Sequence, residues 1–210
     1  MSETAKTGVF DAILKRHSVR TFTDEPVTPA ELDALIDAAR LAPSSLNSQP
    51  WRYKLVTDPE QLAKFGLKEY TRTQTWMAEA GAIIVCCADL TGYVRDSQAS
   101  AFFFRENKLI EGDSMDGIDD YVARETAAAE AAKFGAAAMN VGIANAFLML
   151  RAVELGLGVC WVGMFNEANV KELLGIDPGL RVVGLIAVGH PAPGQATEHN
   201  RKPKEDILLP

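Results

Sequence analysis

The chain has 210 residues, of which 48% are hydrophobic, and this suits one domain with a substantial core or one subunit of an intimate oligomer. Acidic residues outnumber basic ones by 28 to 21, and the formal net charge of −7 creates a field that repels nucleic acid and anionic membranes. We therefore expect a single domain over residues 1–210 with no nucleic-acid or membrane partner.

The N-terminal sequence and the cysteines indicate a cytoplasmic protein. The first residues, MSETAKTG, lack the apolar segment of a signal peptide, and the apolar run at residues 80–88 is far too short to cross a bilayer. The three cysteines, Cys86, Cys87 and Cys160, are odd in number and lack the spacing of metal ligands. They are typical of reduced core residues, and no metal site is expected.

Two helices are predicted in the first part of the chain. The first covers residues 9–15, and its apolar residues fall on one stripe at helical spacing, namely Val9, Phe10, Ile13 and Leu14. It ends at residues 16–20, Arg16-His17-Ser18-Val19-Arg20, which we call the basic element. The second helix begins after Thr28, because Pro29 suits a first helical position and Glu31 completes a capping box with the threonine.

The remaining elements alternate between strands and helices. A polar loop at residues 43–50 is followed by predicted strands at residues 51–55, 82–88, 159–162 and 181–188. A short helix is predicted at residues 166–174, with Gly175 as its C-terminal stop. The pattern predicts an α+β fold with a mixed central β-sheet flanked by helices.

Two further segments differ strongly in periodicity. Residues 121–155 are rich in alanine and contain no proline, and their larger apolar residues recur every three or four positions: Met139, Ile143, Phe147 and Leu150. This pattern predicts a long, largely buried helix. Residues 92–120 carry scattered charges and glycines without a sustained period, and they are interpreted as a mobile connection or lid.

The basic element is the first candidate for chemistry. Its two guanidinium groups and one hydroxyl suit a single phosphate, and such a cluster is more informative in an acidic protein. The same residues also suit a solvated helix end, where Arg16 complements the helix dipole and nothing binds. The spacing alone leaves both interpretations open.

The polar loop is the second candidate. Its Ser, Asn and Gln side chains offer donors and acceptors without charge, which suits a heterocycle such as a flavin. An ordinary turn between helix and strand has the same composition. For His190 and Cys160 a structural role is favoured over catalysis, since no partner base or cation is evident along the chain.

Several motifs in order resemble one family. They are R-H-S-V-R-T-F at 16–22, A-P-S-S-L-N-S-Q-P-W at 42–51, A-E-A-G-A-I-I-V-C-C-A-D at 78–89, L-G-L-G-V-C-W-V-G at 155–163 and G-H-P at 189–191. Together they resemble the nitroreductase family of FMN-dependent oxidoreductases. The resemblance implies a nitroreductase-like fold and an intertwined homodimer with FMN sites at the subunit interface.

The resemblance also assigns site residues. It implies FMN contacts in the basic element and in the tail, at Arg16, His17, Ser18, Arg20 and Arg201. It implies that a loop meets the flavin ring from the partner subunit, at Pro43, Ser44, Ser45 and Asn47. It further implies a ribityl or pyrimidine contact at Gln74 and a backbone amide facing flavin N5 at Gly163 and Met164. Some relatives carry an acid-glycine pair where this chain has Gly163 and Met164, and a lysine where it has His199.

The implied activity is ping-pong reduction of nitroaromatics, quinones or similar small-molecule acceptors, with NADH or NADPH as the electron donor. No side chain is assigned as a catalytic acid or base, because the cofactor carries the chemistry and the protein supplies orientation and electrostatics. Two alternatives remain open. One is a specialised flavin enzyme of the same fold, such as a dehalogenase or a biosynthetic reductase or dehydrogenase. The other is a flavin-binding redox module without rapid turnover.

Overall fold

The structure, a computed structural model, describes residues 8–194 and 200–209. Over these residues the helices are α1 (Val9–Lys15), α2 (Pro29–Arg40), α3 (Pro59–Lys64), α4 (Lys68–Thr71), α5 (Leu90–Glu106), α6 (Asp113–Ala127), α7 (Glu130–Glu154) and α8 (Glu167–Leu174). The strands are β1 (Trp51–Val56), β2 (Ala82–Asp89), β3 (Gly158–Val162) and β4 (Leu180–Gly189). The expected α+β class is confirmed.

The four strands form one sheet in the order β1-β2-β4-β3, and every neighbouring pair is antiparallel. Within the described residues, the predicted mixed sheet therefore has parallel pairing only at an isolated bridge between Ser18 and Val159. β2 lies in the interior of the sheet and is buried along residues 82–88, as its continuous apolar sequence predicts. The predicted strands are therefore all present.

The sheet separates two apolar layers. On one face, which we call the α7 side, α2 and α7 pack over β2 with buried residues such as Leu35, Val141 and Ile84. On the other face, the α8 side, the buried residues include Phe65 and Val170. Successive residues of a strand point to opposite faces, so every element that packs on the sheet belongs to one of these two sides.

Local signals in the sequence place the ends of α2 and α8 correctly. The Thr28 hydroxyl accepts the Glu31 backbone N–H, and the Glu31 carboxylate accepts the Thr28 backbone N–H at 2.8 Å. α8 begins after Asn166, whose side chain caps the helix, and it ends at Gly175 in the left-handed conformation. These predictions hold because a cap depends on residues that are neighbours in sequence.

The long helix differs from its prediction in extent and in orientation. Residues 121–127 belong to α6, and α7 begins only at Glu130. Its buried face consists mainly of small residues, while Met139 and Phe147 are 60% and 41% exposed. Alanines allow α7 to lie close to the sheet, and Leu148 is buried beside them, whereas Met139 and Phe147 point outward. By length and composition α7 is the single helix of the described residues that could cross a membrane, but it packs on the sheet as a core helix.

The interpretation of residues 92–120 as a mobile connection is wrong. These residues lie mostly in α5 and α6, which pack against each other and are joined by a short turn. Gly92 is accommodated in the first turn of α5, where its backbone N–H donates to the Asp89 carboxylate at 2.6 Å. The phenol groups of Tyr93 and Tyr121 are 2.6 Å apart and link the two helices.

Candidate functional site

The basic element runs along the edge of the sheet beside β3. The Val19 backbone N–H donates to the Val159 carbonyl at 3.0 Å. The approach is close at Gly158, where an added Cβ would lie 2.7 Å from Cγ1 of Val19. A glycine at this position therefore lets the backbone of the basic element lie directly against β3.

The Ser18 hydroxyl and the Arg20 guanidinium lie close to the thiol of Cys160 in β3, and Arg16 is near enough for its positive charge to act on that thiol. Burial raises the pKa of this thiol, and the positive charges of Arg20 and Arg16 oppose that shift only in part. The thiol is therefore neutral at neutral pH and adds no negative charge to the cluster. Sequence reasoning missed these neighbours of Cys160, because they are more than a hundred residues away along the chain.

His17 does not join this cluster. Its Nδ1 lies 2.9 Å from the Lys15 carbonyl oxygen, and its ring lines a cavity of about 160 Å³ together with Gly156 and Pro191. Its Nε2 is buried and has no hydrogen-bond partner among the described residues. The contacts of the imidazole are therefore with Lys15 and this cavity.

A second group of candidate residues meets just beyond the end of β3. The Gln74 side chain donates from Nε2 to the Met164 carbonyl at 2.9 Å, which brings Gln74 beside Gly163 and Met164. The Asn166 backbone N–H donates to the Tyr70 carbonyl at 2.7 Å and ties the same segment to α4. Because β3 connects Cys160 to this segment, the strand carries both groups of candidate residues.

The polar loop lies elsewhere, on the α7 side of the sheet. The Ser45 backbone N–H donates to Oδ1 of Asn140 in α7 at 2.9 Å, and the Gln49 backbone N–H donates to the Ser44 hydroxyl at 3.0 Å. Ser48 is 1% exposed, and its hydroxyl has no hydrogen-bond partner among the described residues. Pro43 to Asn47 therefore form a folded turn anchored to α7.

The candidate residues thus fall into two sets on opposite faces of the sheet. Cys160, with the basic-element side chains around it, belongs to the α8 side, as does Met77 in the turn that follows Gln74. Ala42 at the start of the polar loop belongs to the α7 side. A single protomer separates the two sets by the thickness of the sheet.

Two further candidates lie in the C-terminal part of the chain. Arg201 lies exposed in the C-terminal tail and donates to the Asn200 carbonyl at 3.1 Å, whereas His199 is outside the described residues. Nε2 of His190 lies 3.8 Å from Glu25 and 4.0 Å from Glu31, so the histidine has carboxylate neighbours that the sequence did not reveal. Within the described ranges, no group of His, Cys, Asp and Glu is arranged to hold a metal ion.

The sequence and the fold match known proteins along most of the chain. The model of the nitroreductase family matches residues 13–190. The chain belongs to the nitroreductase family. A relative from Thermus thermophilus, named NADH dehydrogenase, is 30% identical over 200 residues that cover 94% of this chain and 93% of that protein. A Bacillus subtilis relative, named FMN reductase [NAD(P)H], is 28% identical over 95% of this chain and 72% of its own length.

Solved structures share the nitroreductase fold. A nitroreductase family protein from Streptococcus pneumoniae TIGR4 superposes with a TM-score of 0.78 at 24% identity, over 97% of this chain and all of that one. A protein from Exiguobacterium sibiricum, solved in complex with FMN, superposes with a TM-score of 0.78 at 22% identity, over 100% of this chain and 99% of that one. The family resemblance seen in the ordered motifs is therefore confirmed.

Proposed function

We propose that the chain is an FMN-dependent NAD(P)H oxidoreductase that reduces nitroaromatics, quinones or similar small-molecule acceptors. The observation that supports this most is the arrangement along β3, with the basic cluster at Cys160 and the Gln74 contact at Met164. Cys160 and Met164 are four residues apart along β3 and the segment that follows it, so at roughly 3.3 Å per residue the two points are at most about 13 Å apart. This suits an elongated ligand with a phosphate at one end and a polar ring at the other.

The donor groups match the parts of FMN. The guanidinium groups of Arg16 and Arg20 and the hydroxyl of Ser18 would hold the phosphate, with Arg201 as a further cation from the tail. Gln74 would contact the ribityl chain or the pyrimidine edge of the ring. The backbone of Gly163 and Met164 would face the reactive nitrogen of the ring. His17 would contribute through its backbone only.

Bound FMN would supply the redox chemistry, accepting electrons from NADH or NADPH and passing them to the acceptor. The chain's own residues position the two reactants in turn in one pocket, and they need no side chain that acts as acid or base. Names of relatives agree with this chemistry, since two Bacillus subtilis relatives are called FMN reductases and one of these names specifies NAD(P)H. Such an enzyme would work in the cytoplasm as a single FMN-binding domain per chain.

The experiment that tests this function begins with a visible spectrum of the purified protein, which we expect to show bound flavin. Anaerobic addition of NADH or NADPH should bleach it, and a nitroaromatic compound or a quinone should then restore it within seconds. A protein that neither contains nor takes up FMN would contradict the proposal. Bound FMN that NAD(P)H reduces only over many minutes would favour the redox module instead.

The second part of the proposal is a homodimer whose FMN sites include residues of both chains. The polar loop lies on the opposite side of the sheet from Cys160, so a second copy is needed to bring the two sets together. An apolar surface favours this partner. It is formed by outward-facing residues of α1 and α7 and by residues near them: Val9, Phe10, Ile13, Leu14, Leu41, Met139 and Phe147. These residues line or adjoin an apolar groove of about 420 Å³.

The dimer is tested by placing one charge on this surface. Phe147→Lys should convert a dimeric protein into monomers in sedimentation velocity, and the monomers should lose FMN, because an unpaired ammonium in an apolar interface is costly. Leu67→Lys is the matched control, since Leu67 is 45% exposed in the turn before α4, away from this surface. A wild-type monomer that retains FMN would contradict the shared site.

A further inference from the structure

One buried side chain holds the polar loop to the core. Asn140 of α7 is 1% exposed, and its Oδ1 accepts the Ser45 backbone N–H at 2.9 Å and the Ser45 hydroxyl at 3.4 Å. Its Nδ2 donates to the Ala136 carbonyl at 2.8 Å. The amide is thus hydrogen-bonded at both its oxygen and its nitrogen, and both bonds to the oxygen come from Ser45 of the loop.

The loop that Asn140 holds has an uncommon backbone. Leu46, Asn47 and Gln49 have φ values of 47°, 49° and 43°, and none of them is a glycine. The left-handed region is unfavourable for side chains such as Leu and Gln, and it persists only where surrounding contacts fix the backbone. Hydrogen bonds inside the loop, such as Gln49 to Ser44, stabilise the turn, but they do not attach it to the fold.

The position of Asn140 has no explanation in the core alone. The neighbouring buried residues of α7 are apolar, including Ala137, Val141 and Ala144. A buried amide is costly unless it is hydrogen-bonded, so its benefit at this position must come from its partner in the loop. Asn145 shows the contrast: it is equally buried on the same helix, but it accepts the Tyr53 phenol at 3.0 Å and does not contact the loop.

We propose that Asn140 is a positioning residue that presets Ser44 to Asn47 for contact with the flavin ring of the partner protomer. This inference rests on the proposed function. The long helix would thereby couple the flavin contact to the rigid core. A loop that is already ordered before the ring arrives loses less conformational entropy when it binds, which strengthens retention of the cofactor.

The test compares Asn140→Ala with Asn145→Ala in the purified holoenzyme. Both variants remove a buried asparagine whose side-chain oxygen accepts hydrogen bonds from a distant residue, Ser45 or Tyr53, so both should lower the melting temperature. Only Asn140→Ala should speed the release of FMN on dilution, by about tenfold, the effect of one lost hydrogen bond. Asn140→Asp keeps an acceptor for Ser45 and, as the neutral acid, a donor for the Ala136 carbonyl, so it should release FMN more slowly than Asn140→Ala. Equal release from the two alanine variants would overturn the proposal.

Hydrogen exchange separates this inference from the flavin assignment. The Ser45 amide should be protected in the wild-type protein and exchange at least tenfold faster in Asn140→Ala, with or without FMN. Asn140→Leu fills the space that alanine leaves, so it serves if the alanine variant does not fold. Unchanged exchange at Ser45 in a folded variant would show that Asn140 does not hold the loop, whereas absence of FMN from the wild-type protein would count only against the proposed function.

Discussion

Simultaneous replacement of Arg16 and Arg20 by alanine should weaken FMN binding by a hundredfold or more. Both positive charges act on Cys160 beside β3, where we place the phosphate. Hydrogen bonds to a charged group contribute about 1.5–3 kcal/mol each, so the loss of two gives an effect of this size. Fluorescence titration of FMN into the flavin-free variant measures the dissociation constant, and gel filtration shows whether any cofactor is retained.

The control for this prediction removes the same amount of charge elsewhere. Arg40 and Arg95 are exposed on helices and pair with Asp37 and Asp96, at 2.6 and 2.7 Å. Arg40→Ala with Arg95→Ala should leave the affinity for FMN unchanged, because exposed pairs of this kind contribute little and lie outside the cluster. If both double variants weaken binding equally, net charge and not the basic element governs affinity, and the site assignment fails.

Gly158→Ala should destabilise the fold and also weaken FMN binding. The new methyl group would lie 2.7 Å from Cγ1 and 2.9 Å from Cγ2 of Val19, closer than carbon atoms can approach. Val19 is 2% exposed and packs against Gly158, so its side chain or the backbone of the basic element must shift to admit the methyl group. Overpacking of this kind costs about 1–3 kcal/mol in the free energy of unfolding, which urea denaturation measures.

A second substitution shows whether the effect passes through Val19. Val19→Ala removes both γ carbons, so it should restore part of the FMN affinity of Gly158→Ala, a coupling that independent sites would not show. Gly117→Ala is the control, because an added Cβ in α6 meets no atom within 4 Å and alanine favours a helix. Additive losses in the double variant would mean that Gly158 affects the site by another route.

Features that depend on residues close together in the sequence were predicted correctly, whereas features that depend on contacts between distant segments were missed. The cap of α2 depends on Thr28 and Glu31, three residues apart, and it was predicted to the residue. α5 and α6 were missed because their stabilising contacts are with each other and with distant elements, and because Gly92, Gly112 and Gly117 break the apolar pattern. Gly92 belongs to the cap of α5, where its backbone N–H donates to Asp89, a local signal that an apolar pattern does not register.

The site was predictable as a set of residues and not as an arrangement. The family resemblance assigns Arg16, Arg20 and Gln74, but it does not reveal that Cys160 lies beside the basic element or that His17 lines a separate cavity. Asn140 was missed because it lies in an alanine-rich helix, where the predicted buried face was read from the large apolar residues and a single polar residue did not stand out. For the same reason the outward-facing Phe147 was taken as core.

Because the sheet separates the two residue sets, the activity of the protein should depend on its concentration. In the proposed dimer each FMN site contains residues of both chains, so a monomer has no complete FMN site. The total activity then depends on the monomer–dimer equilibrium. At high dilution the dimer dissociates, and activity would fall more steeply than the protein concentration.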